Sequence, residues 1–356
     1  MEDMVVDLSF WQGKRVFLTG HTGFKGSWLC QILINAGAQV TGYALKPQTK
    51  PNLFSICDNE LKMISTIGDI RDKKKLLSVF TKSKPEIVIH MAAQPIVRDS
   101  YKDPHYTYEV NVMGTVNILE CIRICEGVKS FLNVTTDKVY QNNEWHRGYV
   151  ESDTLNGFDP YSNSKSCSEL VTSSYKNSFF YDNNVAVSTA RSGNVIGGGD
   201  FSNDRIIPDC IRAALKNEPV IVRNPNSIRP YQHVLDPLFA YLLIAQRQYE
   251  DHTYADCYNV GPDYCDCVTT GELADKFCKT WGNDVSWENK SSNGPHEAGF
   301  LKLDCSKLKS ILGWKPVWNV DIAIEKTVEW VKKYKDGNNI NKIMITQIQE
   351  FIESSI

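Results

Sequence analysis

No stretch of this 356-residue chain is apolar for long enough to cross a membrane, which sets aside functions that need an embedded helix. The amino end, Met1 to Phe10, is short and acidic and lacks the basic start and apolar run of a signal peptide, so the expected location is the cytoplasm. Basic residues are not in excess: 39 Lys and Arg stand against 42 Asp and Glu, a net charge of -3, and none of them cluster. Nucleic acid is therefore not an expected partner. There is no internal repeat. The 11 cysteines are scattered, and only Cys257, Cys265 and Cys267 crowd together, at a spacing that fits no zinc pattern. They read as small buried apolar side chains rather than metal ligands.

What is present is a chain with 42% apolar residues, enough to bury a full core as one large or two closely joined domains. Lys14 to Thr19 has the length and apolarity of a strand, and Ser27 to Ala36 has helical spacing with a stop at Gly37. Between them runs Gly20-His21-Thr22-Gly23-Phe24-Lys25-Gly26. In a strand-turn-helix unit such glycines let the backbone approach a pyrophosphate at the helix amino end, although a glycine triplet can also be only a set of turns. Far downstream, Tyr161 and Lys165 are spaced to share one face of a helix. That placement predicts an ammonium that stabilises the phenolate and takes the tyrosine below its usual pKa of about 10, fit to accept a proton from an alcohol. A chance coincidence within a helix is the alternative.

The three-glycine spacing together with the Tyr-x-x-x-Lys pair resembles the extended short-chain dehydrogenase/reductase family. Short apolar strands at Gln39 to Ala44, Glu86 to Ala92, Ser130 to Val134 and Val185 to Ala190 alternate with helical stretches. The expected fold is α/β, a doubly wound parallel (Rossmann) sheet with a smaller mixed α/β C-terminal substrate lobe. Residues 1–190 make the NAD-binding unit, with a return segment near 230–260, and 191–356 mainly the sugar-nucleotide lobe. Helical runs are expected near Arg212 to Lys216, Leu235 to Gln248 and Leu273 to Trp281, and as amphipathic segments at Val320 to Lys333 and Ile340 to Ile352.

The resemblance implies NAD as cofactor, held by Gly20, His21, Gly23, Phe24, Lys25 and Gly26, by Asp69 and Ile70, by Ala92, Ala93 and Gln94, and by Tyr161 and Lys165. The acid that usually grips the adenosine ribose after the second strand is missing. Leu45-Lys46 stands there, and Lys46 could favour a phosphate. His21 and Lys25 are unusual in such a loop; they are surface polarity, or Lys25 counters pyrophosphate charge.

Thr135-Thr136-Asp137-Lys138-Val139-Tyr140 follows a predicted strand, where open α/β sheets gather their chemistry. In the sugar-nucleotide 4,6-dehydratases of the family, Thr136 would position the sugar hydroxyl, Asp137 protonate the leaving oxygen and Lys138 act as base. The bland alternative is a plain ion pair. Asp-Lys, where dTDP-glucose and GDP-mannose dehydratases have a glutamate after the aspartate, resembles the branch that acts on CDP-glucose. Longer matches run through Arg191 to Asp200 and Arg229 to Val234. The resemblance further implies substrate contacts from Asn111, Asn194, Arg205, Arg229 and His296, with Glu297 beside it, and a homodimer or homotetramer built on the helices carrying Asn111 and Tyr161. It places the product in deoxysugar synthesis for bacterial surface polysaccharide, including lipopolysaccharide O-antigen. His90 and His105 read as structural. A 4-epimerase, or a dinucleotide-binding sensor without turnover, remain the competing readings.

Overall fold

The computed structural model describes residues 6–180, 184–282, 285–290 and 299–355. Six strands alternate with helices: β1 (Arg15–Thr19), β2 (Gln39–Ala44), β3 (Ile64–Ile67), β4 (Ile87–His90), β5 (Ser130–Thr136) and β6 (Ala186–Ser192). With Cys257–Val260 they form one seven-stranded sheet, ordered Cys257–Val260, β6, β5, β4, β1, β2, β3. Every pairing in it is parallel. Parallel strands require cover on both faces, and β4, β5 and β6 are buried at every position. The expected doubly wound sheet is thus found, with two strands the sequence reading missed, β3 and Cys257–Val260.

The strand expected over Glu86 to Ala92 ends at His90. The reason is local: the Thr19 hydroxyl accepts the N–H groups of Met91 and Ala92 at 3.0 and 3.1 Å, which turns the chain out of the sheet. Strand order reverses between β1 and β4, so a crevice opens at their carboxyl ends. The helix Phe24–Asn35 starts at that crevice. Gly20 has a φ of +78°, and a Cβ there would lie 2.9 Å from the Ala92 nitrogen; one on Gly26 would lie 2.2 Å from the Gly20 carbonyl oxygen. Both are glycine because backbone passes where a side chain would be.

The second half returns to the sheet. Helix Leu235–Glu250 is buried along most of its length and packs on β5 and β6, and its chain continues into Cys257–Val260 at the sheet edge. Three short pairings build a mixed lobe beyond it: Val195–Ile196 with Gln232–His233, Ile228–Pro230 with Cys267–Thr269, and Val220–Val222 with Trp287–Asn289. The amphipathic helices Val320–Lys335 and Ile340–Ser354 lay their stripes on the body. Phe351 packs on Phe239 and Trp318, and Cys57 donates to the Met344 sulfur at 3.2 Å.

Asp236, in the first turn of Leu235–Glu250, is wholly buried. One oxygen accepts the Val317 N–H at 2.7 Å, and the other has no partner among the described residues. Burial pushes its carboxyl up to about 7, against about 3.9 for an unfolded chain. The fold therefore prefers the neutral acid: that stabilisation is complete below about pH 4 and is lost as pH rises through about 7. The expected outcome for Asp236→Asn is a flatter stability profile, gaining on the parent by roughly 1 to 3 kcal/mol between pH 5 and pH 8. Thermal unfolding at both pH values checks this, and parallel profiles would refute it.

Candidate active site

Thr136 is the last residue of β5, and Asp137 opens the short turn after it, so both point into the crevice mouth. The Thr136 hydroxyl donates to Asp137 Oδ1 at 2.9 Å and also acts on the Tyr161 phenol, opposing its upward shift. Asp137 is fully buried, with Lys138 Nζ 3.6 Å from Oδ1; the Lys138 side chain is 29% exposed and so reaches toward solvent-accessible space. Oδ2 of Asp137 is buried with no hydrogen-bond partner among the described residues. A buried carboxylate oxygen left without a donor is costly, and it points to a group that arrives with substrate. Gly193 lets it sit there, since a Cβ on that residue would come 2.9 Å from Oδ2.

Tyr161 and Lys165 lie in the first two turns of helix Pro160–Tyr175. Its start is fixed by Asp159, whose side chain accepts from Ser162 N at 3.0 Å and Ser162 Oγ at 2.5 Å, with Pro160 as first helical residue. Across from it, Asn111 sits in a wide turn, Glu109–Met113, with hydrogen bonds spaced one residue beyond the α-helical pattern. Its amide donates to Ser164 Oγ at 2.9 Å and accepts from Gln94 N at 2.8 Å, so it joins the Tyr161 helix to the segment after β4. Asn111 is thus a buried tie between these two elements.

The expected easing of Tyr161 is not found. Burial pushes its phenol up to about 12, with Thr136 and Arg205 opposing the shift. Lys165 does share the helix face, but its ammonium donates to the Val134 carbonyl of β5 at 3.2 Å. Burial pushes Lys165 itself down to about 8, opposed by the Glu169 carboxylate.

The loop residues His21 and Lys25 are not surface polarity either. His21 is buried, its Nε2 hydrogen-bonded to Ser65 Oγ at 2.8 Å, and burial holds its pKa at about 4, so the ring is neutral. Lys25 faces inward: Nζ lies 3.4 Å from the Tyr241 hydroxyl, which meets Ser192 Oγ at 2.5 Å. Burial and the charges of Lys165 and Arg205 push Lys25 down to about 7, and Asp137 pulls the other way. Tyr241 and Ser192 were not marked by the sequence reading; no local motif announces them.

The other expected positions are spread around this centre. Phe24 and Gly23 open the first helix. Asp69 follows β3 and is gripped by the Arg71 guanidinium at 2.8 Å, while Ile70 is buried against Gly114. Ala92, Ala93 and Gln94 follow β4, and Gln94 anchors Ile96 N and Thr107. Arg205 pairs with Asp200 at 3.1 Å, and its charge acts on both Tyr161 and Lys25, which puts it at the same mouth. Asn194 accepts Gln232 N through its carbonyl at 3.1 Å, and Arg229 is buried beside Pro230 in Ile228–Pro230. Lys46 is exposed just past β2, where no acid stands. His90 is buried on Thr19 at 2.7 Å and kept neutral, and His105 is exposed, 3.8 Å from Glu109. His296 and Glu297 lie outside the described residues.

Gly20 and Gly26 let the glycine turn close tightly on the Thr19-braced turn after β4 and on the helix amino end, and a compact glycine turn at a helix amino end fits a dinucleotide pyrophosphate. The profile of the GDP-mannose 4,6 dehydratase family matches residues 17–327. A CDP-glucose 4,6-dehydratase of Salmonella typhimurium is 48% identical over 99% of both chains. A probable dTDP-glucose 4,6-dehydratase of Sinorhizobium fredii is 29% identical over 89% of this chain and 92% of its own. Among solved structures, the dTDP-glucose 4,6-dehydratase of Streptomyces venezuelae superposes with a TM-score of 0.79 at 22% identity, covering 91% of this chain and 98% of that one. The UDP-glucose 4-epimerase of Thermotoga maritima gives 0.79 at 22% identity over 90% and 99%; these two likenesses speak to fold. The chain belongs to the GDP-mannose 4,6-dehydratase family.

Proposed function

We propose that this chain removes water from CDP-D-glucose to give CDP-4-dehydro-6-deoxy-D-glucose, with NAD held at the glycine turn. The observation that carries the reading is the position of Asp137 and Lys138, together at the end of β5 beside Thr136, which acts on the Tyr161 phenol. A reaction that only oxidises and reduces carbon 4 has no use for an acid and a base beside the tyrosine. The near-full-length likeness to the Salmonella enzyme supports CDP-glucose as the substrate.

When bound, the nicotinamide would accept hydride from carbon 4 and return it to carbon 6. The residues do the rest. Thr136 orients the sugar hydroxyl, and Tyr161 takes its proton. The ketone so formed acidifies the proton on carbon 5, which Lys138 removes. Asp137 delivers a proton to the hydroxyl leaving carbon 6, so the C–O bond breaks and water departs. Lys138 then gives its proton back to carbon 5 as carbon 6 regains hydride, and the proton Tyr161 has gained equals the one Asp137 has given up, so the net change is loss of one water once those two side chains re-equilibrate. Because the unliganded phenol titrates at about 12, proton removal at neutral pH depends on positive charge gathering around it, and Lys165, Lys25 and Arg205 are the groups placed to supply it. Arg205, Arg229 and Asn194 are proposed to meet the diphosphate and base.

The cofactor end lacks the ribose-gripping acid, so NAD is held by backbone and buried side chains. The protein works in the cytoplasm, where the 11 free thiols persist; among the described residues no helix is long and apolar enough to span a membrane. Its product enters deoxysugar synthesis for surface polysaccharide. Two copies pair through the helices carrying Asn111 and Tyr161, whose outer faces leave Met113 at 52%, Leu170 at 57% and Phe179 at 43% exposure. Such apolar groups are costly to leave wet in number.

Purified protein with CDP-glucose and NAD is expected to yield a 4-ketosugar with its alkaline absorbance; absence of product at any cofactor level overturns the reading. Tyr161→Phe and Lys138→Ala should each lower kcat by about 10²- to 10⁴-fold. A Lys138→Ala protein of near-parental rate, releasing a hexose with its carbon 6 hydroxyl, would make the chain a 4-epimerase. Leu170→Glu is expected to shift the species seen by light scattering from dimer or larger to monomer, and an unchanged mass would exclude this face as the interface.

A further inference from the structure

Glu169 and Arg191 have no part in the chemistry above, yet they form an ion pair at 2.9 Å with side chains only 3% and 4% exposed. Burying two charges is expensive unless every remaining valence is used. Both oxygens of Glu169 are used, while Arg191 Nε is buried without a partner among the described residues. Oε1 accepts the Thr135 hydroxyl, and Oε2 accepts Thr189 Oγ1 at 2.7 Å and Arg191 Nη2 at 2.9 Å. Arg191 Nη1 then donates to the Tyr140 hydroxyl at 2.9 Å and the Glu151 carbonyl at 3.0 Å, with the Tyr140 ring 5.1 Å from the guanidinium carbon.

The partners have a pattern. Thr135 precedes Thr136 on β5, Thr189 and Arg191 belong to β6, Tyr140 lies two residues beyond Lys138, and Glu169 stands one helical turn after Lys165. Strand β5, the turn after it, β6 and the helix of Tyr161 and Lys165 are thus tied to this one carboxylate, directly or through Arg191. We propose that Glu169 is a positioning residue, which fixes the helix of Tyr161 and Lys165 against the strand end that carries Thr136, Asp137 and Lys138.

Lys165 is packed from several sides. Glu169 and Tyr161 share its helix, Lys25 faces it from the first helix, the neutral His90 from β4, and its N–H is taken by the Val134 carbonyl of β5. Lys25 and burial both disfavour charge on Lys165, and Glu169 is the carboxylate that opposes them. A neutral Lys165 could neither draw the phenol toward ionisation nor hold a sugar or ribose oxygen by a charged hydrogen bond. The geometric tie and the charge thus serve the same end.

The test is Glu169→Gln, which keeps the shape and removes the charge. The inference rests on the dehydratase reading for its kinetic arm, so a substrate-free arm runs beside it: the pH titration of the Lys165 ¹³Cε resonance, assigned by its loss in Lys165→Arg. Expected are a kcat at least about tenfold lower, a KM for CDP-glucose changed by less than about threefold, and a Lys165 midpoint lowered by about one pH unit. Glu169→Asp should restore the midpoint, and Thr189→Val, which removes one bond but no charge, should leave it in place. If Glu169→Gln does not fold, Glu169→Gln combined with Arg191→Gln gives the same reading without a lone buried cation. A parental midpoint in the folded variant overturns the inference. A parent with no dehydratase turnover would overturn the proposed function instead, while the titration still decides the role of Glu169.

Discussion

The turn after β5 and the helix that begins at Pro160 must meet closely enough for Thr136 to act on the Tyr161 phenol. Everything chemical in this chain depends on that meeting. Asp137 and Lys138 matter only because they leave the strand at the same point, and Lys165 only because the helix carries it one turn further into the same crevice. The contact is held from behind rather than from the open side. Ser166 Oγ donates to the Val139 carbonyl at 2.7 Å, and Asn133 Nδ2 reaches Ser168 and Thr172 at 2.9 and 2.8 Å. These are short polar side chains at a helix-sheet junction that would more commonly be apolar. Hydrogen bonds are directional where dispersion is not, so they fix the register of helix on strand as well as its distance.

A second consequence of burial is electrostatic. The crevice collects Lys25, Lys165 and Arg205 around one phenol and one buried carboxylate, with pKa values of about 7 and about 8 for the two lysines and about 12 for the phenol. In water such a set would be screened; here each charge feels the next. Three cationic side chains gathered at one mouth suit a ligand that brings a diphosphate, and the buried Asp137 Oδ2 has no donor among the described residues. Binding energy and proton transfer draw on the same groups.

Much of this was readable in one dimension, and the limits are physical. The strand-turn-helix unit announced itself because only glycine tolerates the Gly20 and Gly26 approaches, and Tyr161 with Lys165 because helical spacing is periodic. β3 was missed because Ile64–Ile67 is a short, half-exposed edge with no clean alternation. Cys257–Val260 was missed as a strand because its partner, β6, is far away in the chain. Sequence put Lys165 on the right face but could not show that its ammonium donates to a β5 carbonyl, nor that burial would push the Tyr161 phenol up rather than down. His21 and Lys25 read as loop polarity because burial is a property of the fold, and Glu169, Tyr241 and Ser192 carry no local mark because their partners come from other elements.

The claim that hydride leaves carbon 4 and comes back to carbon 6 within one bound sugar is tested most directly with CDP-glucose deuterated at carbon 4. Turnover in ordinary water should place the deuterium in the methyl group of the 4-keto product. Deuterium retained at carbon 4 of an intact hexose, or lost to the medium with none in the methyl group, would contradict the account.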